Sequence, residues 1–422
     1  MGAGAVTYGS VDSEKGGGSA AMAGALAVKV MAQRTEAFID ETTVTVTGDI
    51  DVESSARGNI IAVALSGAAS TGALSAAGSI FVNVISSNTI ARVNDSAITG
   101  NDVHVTSTND NDILGVAGAL STVQDSQNAN ADSTSAVGFS VGVNVISNDL
   151  RDGGTLAIVE DSTIDAAGDL VVNADTESNV LIGLLSAVVN FSGTGASSAI
   201  AITIGLNVAS TRTHAIVRGR KDDEDLDVDG NVTVHAEDDS SIKNFTFAGS
   251  VAFSSSSSNA AGAGLGFNVI ATDIKAEIAD ATLLAQDVDV SAVSDGEITA
   301  LMVGAAGAEG NAGAGQLSFN YTQQEVSALI DNSTVTASAA GGDVDVTATN
   351  SSTIRALTGA AAIAFTGSGT SDGIGAAFSF NITNDTTEAG IDASEVIATD
   401  GHVTVIADSD ATVETISAGG AL

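Results

Sequence analysis

Residues 330–350 read IDNSTVTASAAGGDVDVTATN, and their pattern recurs along the chain. Two segments, TVTA and DVDVTA, alternate apolar and polar residues with period two, as half-buried strands do. Asp-Asn-Ser precedes the first and Gly-Gly leads into the second, and these residue types turn a chain. A third strand precedes the stretch and ends in SFNYT at 318–322. The same phrase returns as AGIDASEVIA with GHVTVIA at 389–407, ARVNDSAITG with NDVHVTS at 91–107, and AIVEDSTIDA with GDLVVNA at 157–174.

Aligning the apolar residue before the acidic position gives Ile39, Val93, Val159, Val217, Ile278, Ile330 and Ile391. Their spacings are 54, 66, 58, 61, 52 and 61 residues. The longest intervals carry polar insertions, VQDSQNANADSTS at 123–135 and RGRKDDED at 218–225, as loops that absorb length variation do. The 422 residues therefore read as one array. A tail of a preceding repeat covers 1–15, and repeats follow at approximately 16–70, 71–131, 132–192, 193–254, 255–308, 309–368 and 369–422. The Gly/Ala-rich segments GAGAV at 2–6 and ISAGGAL at 416–422 lie at equivalent points of the repeat. With no capping repeat visible, the frame suggests a piece of a longer polymer of repeats.

The fold class expected is all-β: a parallel β-helix or β-solenoid of about seven repeats. No sustained helical periodicity competes. The chain has no proline, where average usage would give roughly 20. Proline deletes a ladder hydrogen bond from any central strand, and in a solenoid nearly every strand is central. Interior Ala, Gly, Val and Ile would pack the sheets, with acids outside. The number of coils per repeat stays open. Three narrow coils of about 20 residues would give a rod of roughly 100 Å, and one wide coil about 34 Å, at ~4.8 Å per coil.

Residues 330–350 and 158–176 (IVEDSTIDAAGDLVVNADT) resemble the repeats of large bacterial secreted exoproteins, the filamentous haemagglutinin-like adhesins and leukotoxin-like surface proteins. That resemblance implies export, a cell-surface or extracellular location, and adhesion or scaffolding. The chain departs from the family in having no recognisable secretion domain.

Charge and composition exclude several functions. With 52 acidic and 13 basic residues the net charge is −39, which disfavours nucleic acid and anionic membrane surfaces. No apolar run reaches the ~18 residues of a membrane helix, and aromatics at 3% do not supply the girdles of an outer-membrane barrel. No membrane insertion is expected on these grounds. The absence of cysteine removes disulfides and thiolate chemistry.

One register holds Asn83, Asn144, Asn207, Asn268, Asn320 and Asn381, with Lys29 in the first copy. A structural ladder of stacked amides is the expected role. A second holds Asp49, Asp102, Asp169, Asp287 and Asp343, completed by Asn231 and His402. Asp after Gly suits a turn. Carboxylates one coil apart would repel by about 3.5 kcal/mol per pair at an effective dielectric near 20, which invites Ca²⁺. Asp225, Asp227, Asp229 and Gly230 spell the opening of an EF-hand loop, but position twelve is Ala236 and no helices flank it. His104, His214, His235 and His402 lie far apart without metal-ligand spacing.

The expected function is a structural, non-enzymatic solenoid segment of a secreted or surface adhesin or filament. Its partners would be other copies or neighbouring repeats end to end, together with a cell or matrix ligand. A Ca²⁺-dependent binding or extender module is the alternative. A polysaccharide lyase-like enzyme ranks third, since repeats so alike leave no asymmetric site and there is no Trp.

Overall fold

The computed structural model describes residues 2–9, 20–124, 133–148, 153–193, 195–219, 226–338, 341–365 and 370–422. All regular structure among them is β-strand, in three parallel sheets. A front sheet of eight strands runs from Gly2–Gly9 through Ile50–Ser70 to Val403–Ala421. A back sheet begins at Ala20–Asp40 and Leu74–Asn94 and ends at Gly373–Thr383. A narrow sheet holds seven short strands, from Thr43–Thr45 to Glu395–Ala398.

The register answers the question of coil width. Ile39 pairs with Val93, Val93 with Val159, Val159 with Val217, Val217 with Ile278, Ile278 with Ile330, and Ile330 with Ile391. Each repeat is therefore one wide coil: back strand, narrow strand, front strand. Strands such as Leu74–Asn94 run 21 residues, about 70 Å, against roughly 34 Å for seven coils along the axis. The molecule is a slab, with the narrow sheet closing one of its short edges, at the ends of the long strands.

The corner between back and narrow sheets has its own chemistry. Glu41, Asp95, Asp161, Asp280, Asn332 and Ala393 all take left-handed backbone, φ between 46° and 52°. Asp and Asn tolerate this conformation better than other side chains. In four coils the next residue is a serine that bonds twice. Ser96, Ser162, Ser333 and Ser394 donate to the carbonyls of Asn94, Glu160, Asp331 and Asp392 at 2.6–2.7 Å. They accept the amides of Thr42, Ser96, Ala281 and Ser333 at 3.0–3.1 Å. One hydroxyl thus closes its own turn and ties it to the coil before.

The interior changes character across the slab. Beside the narrow sheet, Val93, Ile98, Val103, Val159, Ile164 and their counterparts fill a triangular core. A seam of buried Ser, Thr, Asn and Asp follows. Next comes an isoleucine layer, with Ile60, Ile113, Ile242 and Ile298 facing Ile85, Ile146 and Ile270. Beyond it the core thins to Ala, Gly and Ser. There the sheets approach so closely that a Cβ on Gly262 would lie 2.5 Å from the Ala305 carbonyl oxygen.

Candidate functional site

The asparagine register becomes a continuous chain of hydrogen bonds. Asn83 Nδ2 donates to Asn144 Oδ1 at 2.9 Å, Asn144 to Asn207 at 2.8 Å, and Asn207 to Asn268 at 2.8 Å. Asn268 then donates to Asn320 at 2.7 Å, and Asn320 to Asn381 at 2.6 Å. Asn83 through Asn320 are fully buried. A primary amide carries both a donor and an acceptor, so identical residues one coil apart satisfy each other. In the first coil Lys29 occupies the position, and its Nζ bonds the Ile61 carbonyl instead. Asn83 Oδ1 is left buried without a partner.

The aspartate register also stacks coil on coil, at the corner entering the front sheet. Asp49 Oδ1 accepts Asn101 Nδ2 at 2.8 Å and the Asp102 amide at 3.3 Å. These two bonds hold its carboxyl below the usual carboxylate range. Asp102 accepts the Asp169 amide at 2.9 Å, Asp169 the Asn231 amide at 2.8 Å, Asp287 the Asp343 amide at 2.9 Å, and Asp343 the His402 amide at 2.7 Å. Each carboxylate faces a backbone N–H dipole of the next coil, which offsets the repulsion between neighbours.

Asp225 lies outside the described residues. Asp227 sits in the narrow strand Leu226–Val228 between two buried apolar neighbours, with its own side chain outward. Asp229 follows it, and its amide bonds the Ala166 carbonyl at 2.8 Å. From Leu226 onward the D-x-D-x-D-G stretch is a solenoid strand and corner. Among the described residues no three His, Asp or Glu side chains are grouped as a metal site. The four histidines lie on outer faces, each beside an acid: His104 with Asp51 at 2.9 Å, His214 with Asp273 at 3.1 Å, His235 with Glu237 at 3.3 Å, and His402 with Asp343 at 3.3 Å.

Two features lay outside the sequence reading. Asp238 is fully buried in the polar seam, where Ser240 Oγ donates to it at 2.6 Å and Thr213 Oγ1 at 3.2 Å. Thr213 continues to Thr176 and Thr155, each step 2.7 Å. Burial pushes the Asp238 carboxyl up to about 6, against the pull of these hydroxyls. Above the seam, on the outer front face, a row one coil apart reads Arg57, Asp110, Glu177, Asp239 and Asp295. Partial burial, and then the negative neighbours Glu237, Asp295 and Asp175, raise Asp239 to about 6.

What these residues do together is hold like to like. The Asn, Asp and corner Ser positions are each satisfied by their own counterparts one coil away. A comparison with protein-family models, curated proteins and solved structures finds no match to this chain.

Proposed function

We propose that this chain is a structural, non-enzymatic β-solenoid segment of a bacterial secreted or cell-surface adhesin or filament, joined end to end to further coils or copies. The observation that carries the reading is the unbroken asparagine ladder from Asn83 to Asn381. Each coil is a template for the next; the last coil carries Asn381 in the ladder register, the first carries Lys29, and both have backbone strand edges. Strand edges of this kind pair with another chain. The resemblance of the repeat phrase to secreted exoproteins supports the extracellular placement and the adhesive or scaffolding role. For the calcium-dependent alternative the aspartate ladder would offer Oδ2, since Oδ1 of Asp49, Asp102, Asp169, Asp287 and Asp343 accepts a backbone amide.

Electron microscopy of the purified chain tests the reading. End-to-end joining predicts particles that lengthen along the coil axis in steps of about 34 Å, seven coils at ~4.8 Å. Single slabs that never lengthen, at any protein concentration, contradict it.

A further inference from the structure

Half of the slab is inside out. Near the narrow sheet the interior is Val, Ile and Leu and the outer faces carry charge, as in any water-soluble fold. From the asparagine ladder to the far edge the arrangement reverses. The inward positions are Ala62, Ala64, Ser66 and Ala68 on the front sheet, and Ser75, Ala77, Ser79, Phe81 and Asn83 on the back, with Phe81 the one large apolar side chain among them. The outward positions hold the large apolar side chains. Ile202, Leu206, Phe247, Phe191, Phe378 and Phe380 are all 37–57% exposed. Of the 12 phenylalanines, Phe81 alone is among the largest fully buried side chains.

The apolar surface forms a band with sharp limits. On the back sheet, five outward rows level with Met22, Gly24, Leu26, Val28 and Val30 contain no charged residue in any of seven coils. The front-sheet rows level with Val63, Leu65, Gly67 and Ala69 contain none either. The two bands lie back to back, because Asn244 bonds Asn268, Ser140 bonds the Leu185 carbonyl and Ser75 bonds the Ala68 carbonyl through the core. Charge resumes toward the narrow sheet on both faces, with Arg34, Arg212, Asp273 and Glu325 on the back and the Asp110–Asp295 row on the front. At the far edge the turns are polar, as in Ser254–Ser258 and Glu309–Asn311.

The dimensions match one solvent. Nine residues of strand span about 30 Å, the thickness of bilayer hydrocarbon, and a membrane-crossing strand needs about 9–11 residues. On the front face, Leu65, Val116, Gly118, Leu185, Phe245 and Phe247 line a groove of ≈ 400 Å³ that is almost wholly apolar. We infer that the far half of the slab is embedded in the acyl chains of a lipid bilayer, strands along the membrane normal, with the acidic half standing in water. Edge-on immersion covers both apolar faces at once, whereas a second copy docked on one face leaves the other bare and stacks without closure. The expectation of no insertion rested on the length of apolar runs, which tests for helices, and on aromatics at 3%, which tests for the girdles of a closed barrel. In these strands the apolar residues alternate with small and polar ones that point inward, so no run forms. Within hydrocarbon every backbone group needs a partner. The inserted form therefore has its end coils paired, and in that respect alone the inference rests on the end-to-end reading.

The chain has no Trp, so single reporters are clean. Phe319→Trp and Val303→Trp place one on each band, and Thr233→Trp places one on the charged half. Incubation with zwitterionic phosphatidylcholine vesicles, with and without brominated acyl chains, should float the protein and quench both band reporters while sparing Thr233→Trp. Ile202→Lys with Phe247→Lys, both at exposed positions, should keep the circular dichroism of the parent. Each lysine should weaken partition by about 30-fold or more, the cost of a cation near the bilayer midplane. Unquenched band reporters overturn the inference, as do vesicles that float without protein. Face-to-face dimers in lipid-free buffer, dispersed by the lysine pair, overturn it in favour of a second copy. Rods in buffer with no flotation uphold the end-to-end reading and sink this one. Quenched reporters on particles that never lengthen in buffer uphold insertion and overturn end-to-end joining outside the bilayer, leaving end pairing to the inserted form.

Discussion

Asn144 Nδ2 donates to Asn207 Oδ1 at 2.8 Å, across one coil and 63 residues of sequence. The bond exists only because the intervening residues complete one circuit of the slab. Asn207 donates onward to Asn268, so Asn207→Ala removes two buried hydrogen bonds and strands the Asn144 donor. The expected cost is about 2–4 kcal/mol. Repeat arrays lose stability locally, coil by coil, so amide exchange is the right probe. Exchange should quicken in Ser133–Ser147 and Ser258–Ala279, with little change in the outermost coils.

Lys29 supplies the complementary test. It stands where every later coil has asparagine, and Asn83 Oδ1 lies buried without a donor. Lys29→Asn should extend the ladder by one rung and stabilise the first coil by about 1 kcal/mol. Slower exchange in Ala20–Asp40 would show it, and faster exchange there would contradict the ladder's role.

The buried Asp238 makes a pH prediction. Its carboxyl is raised from 3.8 to about 6 by burial, so the folded chain holds the proton more tightly than the unfolded one. The contribution of Asp238 to stability is therefore greatest below pH 4, falls as pH rises through 4 to 6, and levels off above. The loss is about 3 kcal/mol for a shift of this size. Asp238→Asn should raise the denaturation midpoint at pH 7.5 and flatten the slope. Partial burial and negative neighbours also raise Asp175 and Asp239, which adds slope of the same sign, while the lowered Asp49 and Asp273 add slope of the opposite sign.

Much of this architecture could be read from residue order. Period-two alternation identified the strands, and the anchors Ile39 to Ile391 proved to be direct Cα partners. The asparagine register stacked as expected because a self-complementary amide recurs only where like meets like. Coil width was not legible, since alternation along a strand says nothing of how many bends a repeat makes. The missed clue was the corner pair, a left-handed Asp or Asn followed by Ser, which recurs at the same point of three repeats, Asp95-Ser96, Asp161-Ser162 and Asn332-Ser333.

Alternation also hides which face is inside. Ile202 and Thr203 are adjacent, and hydrophobic burial in water would turn Ile202 inward. The structure buries Thr203 and leaves Ile202 37% exposed. One register fixes a whole strand, so Val217 near the narrow sheet forces this choice on Ile202 at the other end. Asp238 escaped notice for the same reason, since its inward parity is set by Val232 and Val234.

The central claim, that each repeat is one wide coil stacked in register on the next, is most directly tested by a distance. Thr106 and Thr347 share an outward row of the front sheet, linked through Asn173, His235 and Ser291. The chain has no cysteine of its own, so Thr106→Cys with Thr347→Cys gives two unique spin-label sites. Four coils separate them, which predicts a backbone separation of about 19 Å by electron–electron double resonance. Repeats wound as three narrow coils would place them about 58 Å apart, and a distance in that range would contradict the account.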